Sequence, residues 1–154
     1  MTLTVAITGS ADLDLDHLML DVNGTITNRG TLLDGIDRRL ADLRASLSLH
    51  LVSADTFGTL SSVAKQLEAR AVKVQSGEEK LRELDRLGRA RCVVIGNGTN
   101  DALVLEAAAL GFVVLGPEGA SAAALRAADV VCRSTLEALD LLRDPRALSA
   151  TVRP

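Results

Sequence analysis

The chain has 154 residues, a net charge of −3 and a pI near 5.4, with 47% hydrophobic and 24% charged residues, which gives one domain's worth of chain enough apolar surface for a core. The acidic balance, with Phe57 and Phe112 as the only aromatic side chains, argues against nucleic acid, which asks for cations along its backbone and rings for its bases. The longest apolar run, Ala102 to Gly116, is broken by Glu106, and the first basic residue is Arg29; with neither a membrane span nor a charged secretory start, a cytoplasmic protein with no membrane partner is expected.

In chain order, Thr2 to Thr8 alternates as a strand and Asp12 to Asp16 alternates acid with leucine, which predicts an N-terminal hairpin feeding a strand that ends at Asp21. The acidic run is not a calcium loop, because the positions that need Gly and Glu hold His17 and Asn23. Short apolar runs then recur at His17 to Val22, Leu49 to Ser53, Ala71 to Val74, Cys92 to Gly96, Gly111 to Gly116 and Asp129 to Cys132. Their continuity predicts strands buried on both faces. Helical stripes lie between them: Ile36, Leu40, Leu43 and Leu47; Leu60, Val63, Ala64 and Leu67; Leu81, Leu84 and Leu87; Leu103, Ala107 and Leu110; Leu136, Leu139 and Leu142. A second, short hairpin is expected around Asn28, Arg29 and Gly30. The alternation predicts an α/β fold, a mostly parallel sheet with helices on both faces and ligands outside the carboxyl ends of its strands. Cys92 and Cys132 sit at the margins of apolar runs and read as reduced core thiols.

Four strand exits carry chemistry. Asp21 ends an apolar strand and enters the turn Val22-Asn23-Gly24-Thr25, where a phosphoryl group can be held among turn amides and attacked. Ser53, followed by Ala54, offers a hydroxyl to a phosphate oxygen just before a helix; Lys80, opening a later helix, can neutralise the transferring group; and Gly96-Asn97-Gly98-Thr99-Asn100-Asp101 brings an acid suited to the neighbourhood of a divalent cation. Singly, Asp21 is also readable as a turn residue, Ser53 as a helix cap, Lys80 as a solvated charge and Asp101 as a helix-start acid. Their order, each past a separate strand, makes the joint signal specific.

These four segments resemble the motifs of the haloacid dehalogenase superfamily over residues 17 to 142, and most closely its small soluble P-type-ATPase-like members, through Asp21-Val22-Asn23-Gly24-Thr25, Ser53-Ala54-Asp55-Thr56-Phe57-Gly58-Thr59 and Gly96-Asn97-Gly98-Thr99-Asn100-Asp101. The resemblance implies a Rossmann-like fold and Mg²⁺-dependent phosphoryl transfer through a covalent aspartyl phosphate. Asp21 would be the nucleophile, Ser53 with Ala54, Gly24 and Thr25 would bind phosphate, and Lys80 would steady the charge. Asp21, the Asn23 carbonyl, Asn97 and Asp101 would surround the metal. On this reading residues 1–16 are a hairpin extension, 17–142 the core and 143–154 a C-terminal tail of a single domain.

Two positions depart from the family. Asn23 stands where an acid usually protonates the leaving group and then activates water, and an amide cannot transfer that proton. Asn97 stands where an Asp usually ligates Mg²⁺. The resemblance therefore implies slow turnover, or a phosphate-binding or regulatory module that no longer turns over. The gaps of 31 residues between Asp21 and Ser53 and 26 between Ser53 and Lys80 leave no room for a cap domain. Capless members leave the site open and often oligomerise or act on large substrates, so the resemblance implies a homo-oligomer; a small phosphorylated substrate or a phosphoprotein is the expected partner. No Walker loop is present, position 101 is Asp where a dinucleotide fingerprint needs Gly, and an acid motif follows Lys80, unlike the order in receiver domains. His17 lies four residues before Asp21, about 13 Å away along an extended strand, and is expected, like His50, to be structural. Asp55, two residues after Ser53, is readable as a stand-in base or as a cap for the next helix, and the cap is the favoured reading.

Overall fold

The computed structural model describes residues 1–154 and contains a six-stranded sheet with all pairs parallel. Its strands are β3 (His17–Leu20), β6 (Ser48–Ser53), β7 (Arg70–Lys73), β8 (Cys92–Gly96), β9 (Leu110–Val114) and β10 (Val130–Cys132), in the spatial order β10-β9-β8-β3-β6-β7. All six coincide with the expected apolar runs to within a residue or two. β1 (Leu3–Val5) and β2 (Leu13–Leu15) form the N-terminal hairpin as a separate antiparallel pair, with Thr4 and Thr2 hydroxyls bonded to Asp14 and Asp16. β4 (Thr27–Asn28) and β5 (Thr31–Leu32) form the second hairpin, and Arg29 and Gly30 both take positive φ in its two-residue turn, the conformation that matches strand twist.

Alternation within the parallel strands sorts side chains to the two faces. Leu18, Leu20, Leu49, Leu51, Val93, Ile95, Phe112 and Val114 point to one side, where they pack with α1 (Ile36–Leu43), α2 (Leu60–Leu67), α6 (Thr135–Arg143) and the first hairpin. Met19, Val52, Cys92, Val94 and Val113 point to the other, against α3 (Gly77–Leu87), α4 (Ala102–Ala107) and α5 (Ala122–Ala127). Cys92 and Cys132 are buried and unpaired, and burial pushes both thiols up to about 11. Only the β4–β5 hairpin and α1 separate β3 from β6, and only α2 separates β6 from β7, so no cap covers the carboxyl edge.

Four expectations change, and one helix has no counterpart among them. Leu47 lies beyond the end of α1 yet is buried, and Leu110 belongs to β9 rather than α4. β7 is an edge strand with three of its four residues exposed, not a strand buried on both faces. α5 has no apolar stripe in Ala122 to Ala127 and so gives no helical signal in the sequence. The segment read as a C-terminal tail contains α7 (Pro145–Val152), which starts with an Asp144 cap and Pro145 and buries Leu148 in the larger core.

Candidate active site

The four motif residues meet at the carboxyl edge of the central strands. Asp21 leaves β3 with its N–H donating to the Ile95 carbonyl of the adjacent β8 at 3.0 Å. The next residues turn back sharply: the N–H groups of Thr25, Ile26 and Thr27 all donate to the Val22 carbonyl, and the Gly24 N–H donates to Thr27. Gly24 has φ +75°, and a Cβ there would fall 2.2 Å from the Glu118 carboxylate and 2.9 Å from Asn97 Nδ2, so the turn accepts only glycine. Thr135, at the start of α6, locks the turn by donating its hydroxyl to the Thr25 carbonyl at 2.6 Å.

Lys80 reaches this turn from the first turn of α3, a helix capped by Ser76. Its buried ammonium donates to Asp21 Oδ1 at 2.8 Å and Asp101 Oδ1 at 2.7 Å. The other Asp101 oxygen accepts the N–H groups of Asn97 and Gly98, each at 3.0 Å. A Cβ at Gly96 would lie 2.6 Å from that carboxylate, which explains the glycine that ends β8. Asp101 thus ties Lys80 to the loop after β8, with Oδ1 accepting from Lys80 and Oδ2 from the two amides.

Two carboxylates share one ammonium, and the titration of Asp21 and Lys80 reflects it. Burial foremost, and then the Asp101 charge, push the Asp21 carboxyl up to about 6, against the opposing pull of Lys80 and Thr25. Burial alone would lower Lys80, but the flanking Asp21 and Asp101 charges outweigh it and hold the ammonium above its ordinary range. The site therefore carries an excess of negative charge that a cation would relieve.

Asp21 Oδ2 and Asn97 Oδ1 lie 3.1 and 3.2 Å from the same Thr25 hydroxyl, whose single proton satisfies one of them at a time. The donors gathered here are oxygens of a carboxylate and of amides; no group of three or more His, Cys, Asp or Glu side chains converges. A hard cation such as Mg²⁺ fits that set, whereas softer metals, which favour sulfur and imidazole, do not. Asp21, Asn97 Oδ1 and the Asn23 carbonyl are the groups that would hold it.

Ser53 is buried at the end of β6, and its Oγ accepts the Asp55 N–H at 3.0 Å, leaving its own proton for an anion. Asp55, in a left-handed conformation at φ +58°, accepts the Leu60 N–H at 2.9 Å and so caps α2, as expected from sequence. The amides of Gly24 and Thr25 are consumed inside their turn, so these residues shape the loop after Asp21 and do not present N–H groups to a phosphate. The N–H groups of Asn23 and Ala54 make no hydrogen bond within the chain and are available.

These residues line a cleft of about 270 Å³ bounded by Asp21, Asn23, Ser53, Ala54, Asn97 and Gly98, and also by Thr56, Phe57, Asn100 and Glu118. Sequence reasoning misses Glu118. The sequence shows only that Gly116-Pro117-Glu118-Gly119 follows another strand of the same sheet, β9, which does not by itself bring Glu118 to the cleft. His17 and His50 lie away from the cleft and bond to each other at 3.1 Å between β3 and β6.

No protein-family model matches the chain. It is 40% identical over 78 residues to the uncharacterized protein MJ0073 of Methanocaldococcus jannaschii, covering 48% of this chain and 84% of that one. Among solved structures it resembles the cobalt-bound deoxy-D-mannose-octulosonate 8-phosphate phosphatase YrbI of Haemophilus influenzae (TM-score 0.71, 15% identity, 88% of this chain and 91% of that one). It also resembles a 3-deoxy-D-manno-octulosonate 8-phosphate phosphatase of Moraxella catarrhalis in complex with magnesium and phosphate ions and KDO (TM-score 0.66, 16% identity, 88% and 90% covered). At these identities the two structures share its fold.

Proposed function

We propose that this chain, which belongs to the same family as MJ0073 and has the haloacid dehalogenase fold, is a slow Mg²⁺-dependent phosphohydrolase or phosphotransferase acting through a phosphoryl group on Asp21. The observation that carries this reading is the Asp21 carboxylate, held by Lys80 Nζ at 2.8 Å at the floor of a cleft that Ser53 also lines. The phosphatases that share the fold support the class of reaction, and the magnesium and phosphate in one of them support the cofactor.

The steps follow from the side chains. An Asp21 oxygen attacks phosphorus, and the bond from phosphorus to the leaving oxygen breaks. The Ser53 hydroxyl and the free Ala54 and Asn23 amides hold the phosphoryl oxygens, while Lys80 offsets the charge that builds up beside Asp21. Bound Mg²⁺, which Asp21, Asn97 Oδ1 and the Asn23 carbonyl would hold, would supply further positive charge to the reaction. Asn23 cannot give the leaving group a proton, so that proton comes from water, and Asn23 cannot later activate the water that releases phosphate from Asp21. The second step is the slower one, because it has lost its base. A small phosphate ester suits the open cleft, which offers Phe57 as its only ring. A second reading, a phosphate-binding module without turnover, draws on the two amides at Asn23 and Asn97.

Incubation with a generic phosphomonoester and Mg²⁺ separates them: the wild type should release phosphate and Asp21→Asn should release none above background. Equal rates would overturn the enzyme reading.

A further inference from the structure

The loop from β9 to α5 is fastened to both segments that carry an amide in place of the family's acid. Gly116 packs so closely on the Asp21 turn that a Cβ there would lie 2.3 Å from the Gly24 carbonyl. Asn97 holds the other end, donating from Nδ2 to the Gly119 carbonyl at 3.0 Å and accepting the Ser121 N–H at 2.9 Å. Within the loop the Gly119 N–H bonds back to Gly116 at 3.0 Å, and Gly119 takes φ +71°. The tight turn leaves Glu118 projecting over Gly24. Its carboxylate oxygen and Asn97 Nδ2 both come within 3 Å of the point a Gly24 Cβ would occupy, and it lines the cleft with Asp21. No basic side chain pairs with it and no hydrogen bond ties its carboxylate down.

An unpaired carboxylate is thus aimed at a cleft that already carries excess negative charge, beside oxygens of Asp21 and Asn97 that compete for one hydroxyl proton. Such an arrangement calls for a cation. We infer that Glu118 supplies the second carboxylate of the divalent-cation site, and that Asn97 is a positioning residue that holds the Glu118 loop in place. The amide at 97 is required for that second role: an Asp there would set an oxygen, with no N–H to donate, against the Gly119 carbonyl. The carboxylate lost at position 97 is thereby replaced from a different loop. The inference rests on the Asp21 reading for the location of the cation and adds to it the residue that completes the charge.

Calorimetric titration of the whole chain with Mg²⁺ alone, without substrate, tests it in wild type, Glu118→Gln and Asp21→Asn. Glu118 is exposed and has no partner within the chain, so the Gln variant should melt at the wild-type temperature in the absence of metal. The expected result is Mg²⁺ binding weakened about tenfold or more in Glu118→Gln, the scale on which ligand charge tunes oxygen sites, with a smaller Mg²⁺-induced rise in melting temperature. Wild-type affinity in Glu118→Gln, with binding lost in Asp21→Asn, would overturn the role of Glu118 and leave the Asp21 site standing. No Mg²⁺ binding by the wild type would overturn both.

Discussion

Asn23 concentrates the chemical argument into one side chain. On the proposed mechanism its amide stands where an acid would deliver and then reclaim a proton, and such assistance is worth about 10²–10⁴ in rate. Asn23→Asp should therefore raise steady-state phosphate release by one to several orders of magnitude on that scale, measured under saturating Mg²⁺; an unchanged or lower rate would show that the missing proton carrier is not what limits turnover. At this scale much of the site is legible in the sequence. Asp21, Ser53, Lys80 and Asp101 each follow a short apolar strand, so local pattern alone brings them to one edge of the sheet. Two features are not legible. The inward use of the Gly24 and Thr25 amides depends on the turn conformation, with three N–H groups converging on the Val22 carbonyl. Glu118 reaches the cleft through contacts of Gly116 with Gly24 and of Asn97 with Gly119, pairings across long stretches of chain that no local pattern encodes.

At the scale of elements, β3 and β6 are joined by more than their ladder. His17 and His50 meet at 3.1 Å, and His50 Nδ1 is buried without a partner. Whichever ring donates in that pair, a charged His50 ring would carry an Nδ1–H with nothing to bond. Burial, with the neighbouring His17 charge next, lowers the His50 pKa from 6.5 to about 4. Since the folded value lies below the unfolded one, proton uptake favours unfolding: the stability is fully present above about 6.5 and is lost as pH falls toward 4, an effect of at most about 3 kcal/mol. Melting curves across that window should show a steeper loss in the wild type than in His50→Leu; parallel curves would show that His50 does not titrate this way. The helices also explain which elements the sequence hides. α2 and α3 carry apolar stripes, whereas α5 is nearly all alanine and has no face to read, and α7 is announced by its Asp144 cap and Pro145, with its apolar residues too sparse to form a stripe.

For the whole molecule, α7 matters more than a tail would. It packs on the first hairpin, where the Ser149 hydroxyl donates to the Ala6 carbonyl, and Leu148 is fully buried in the larger core that also contains Val5 and Leu15. Leu148→Ala should cost about 2–5 kcal/mol, as other buried leucines do, measurable by denaturant unfolding; a loss below ~1 kcal/mol would mean that α7 is not integral to the core. The chain bears its reactive groups at the uncovered edge of a six-stranded sheet, with neither a cap nor an acid at position 23 to hasten release. A phosphoryl group placed on Asp21 should therefore outlast the step that put it there. Mass spectrometry of the acid-quenched protein after brief incubation with Mg²⁺ and a small phosphomonoester tests this directly. One added phosphoryl group on the peptide containing Asp21, absent in Asp21→Asn, is the result predicted; substrate turnover with Asp21 never modified would contradict it.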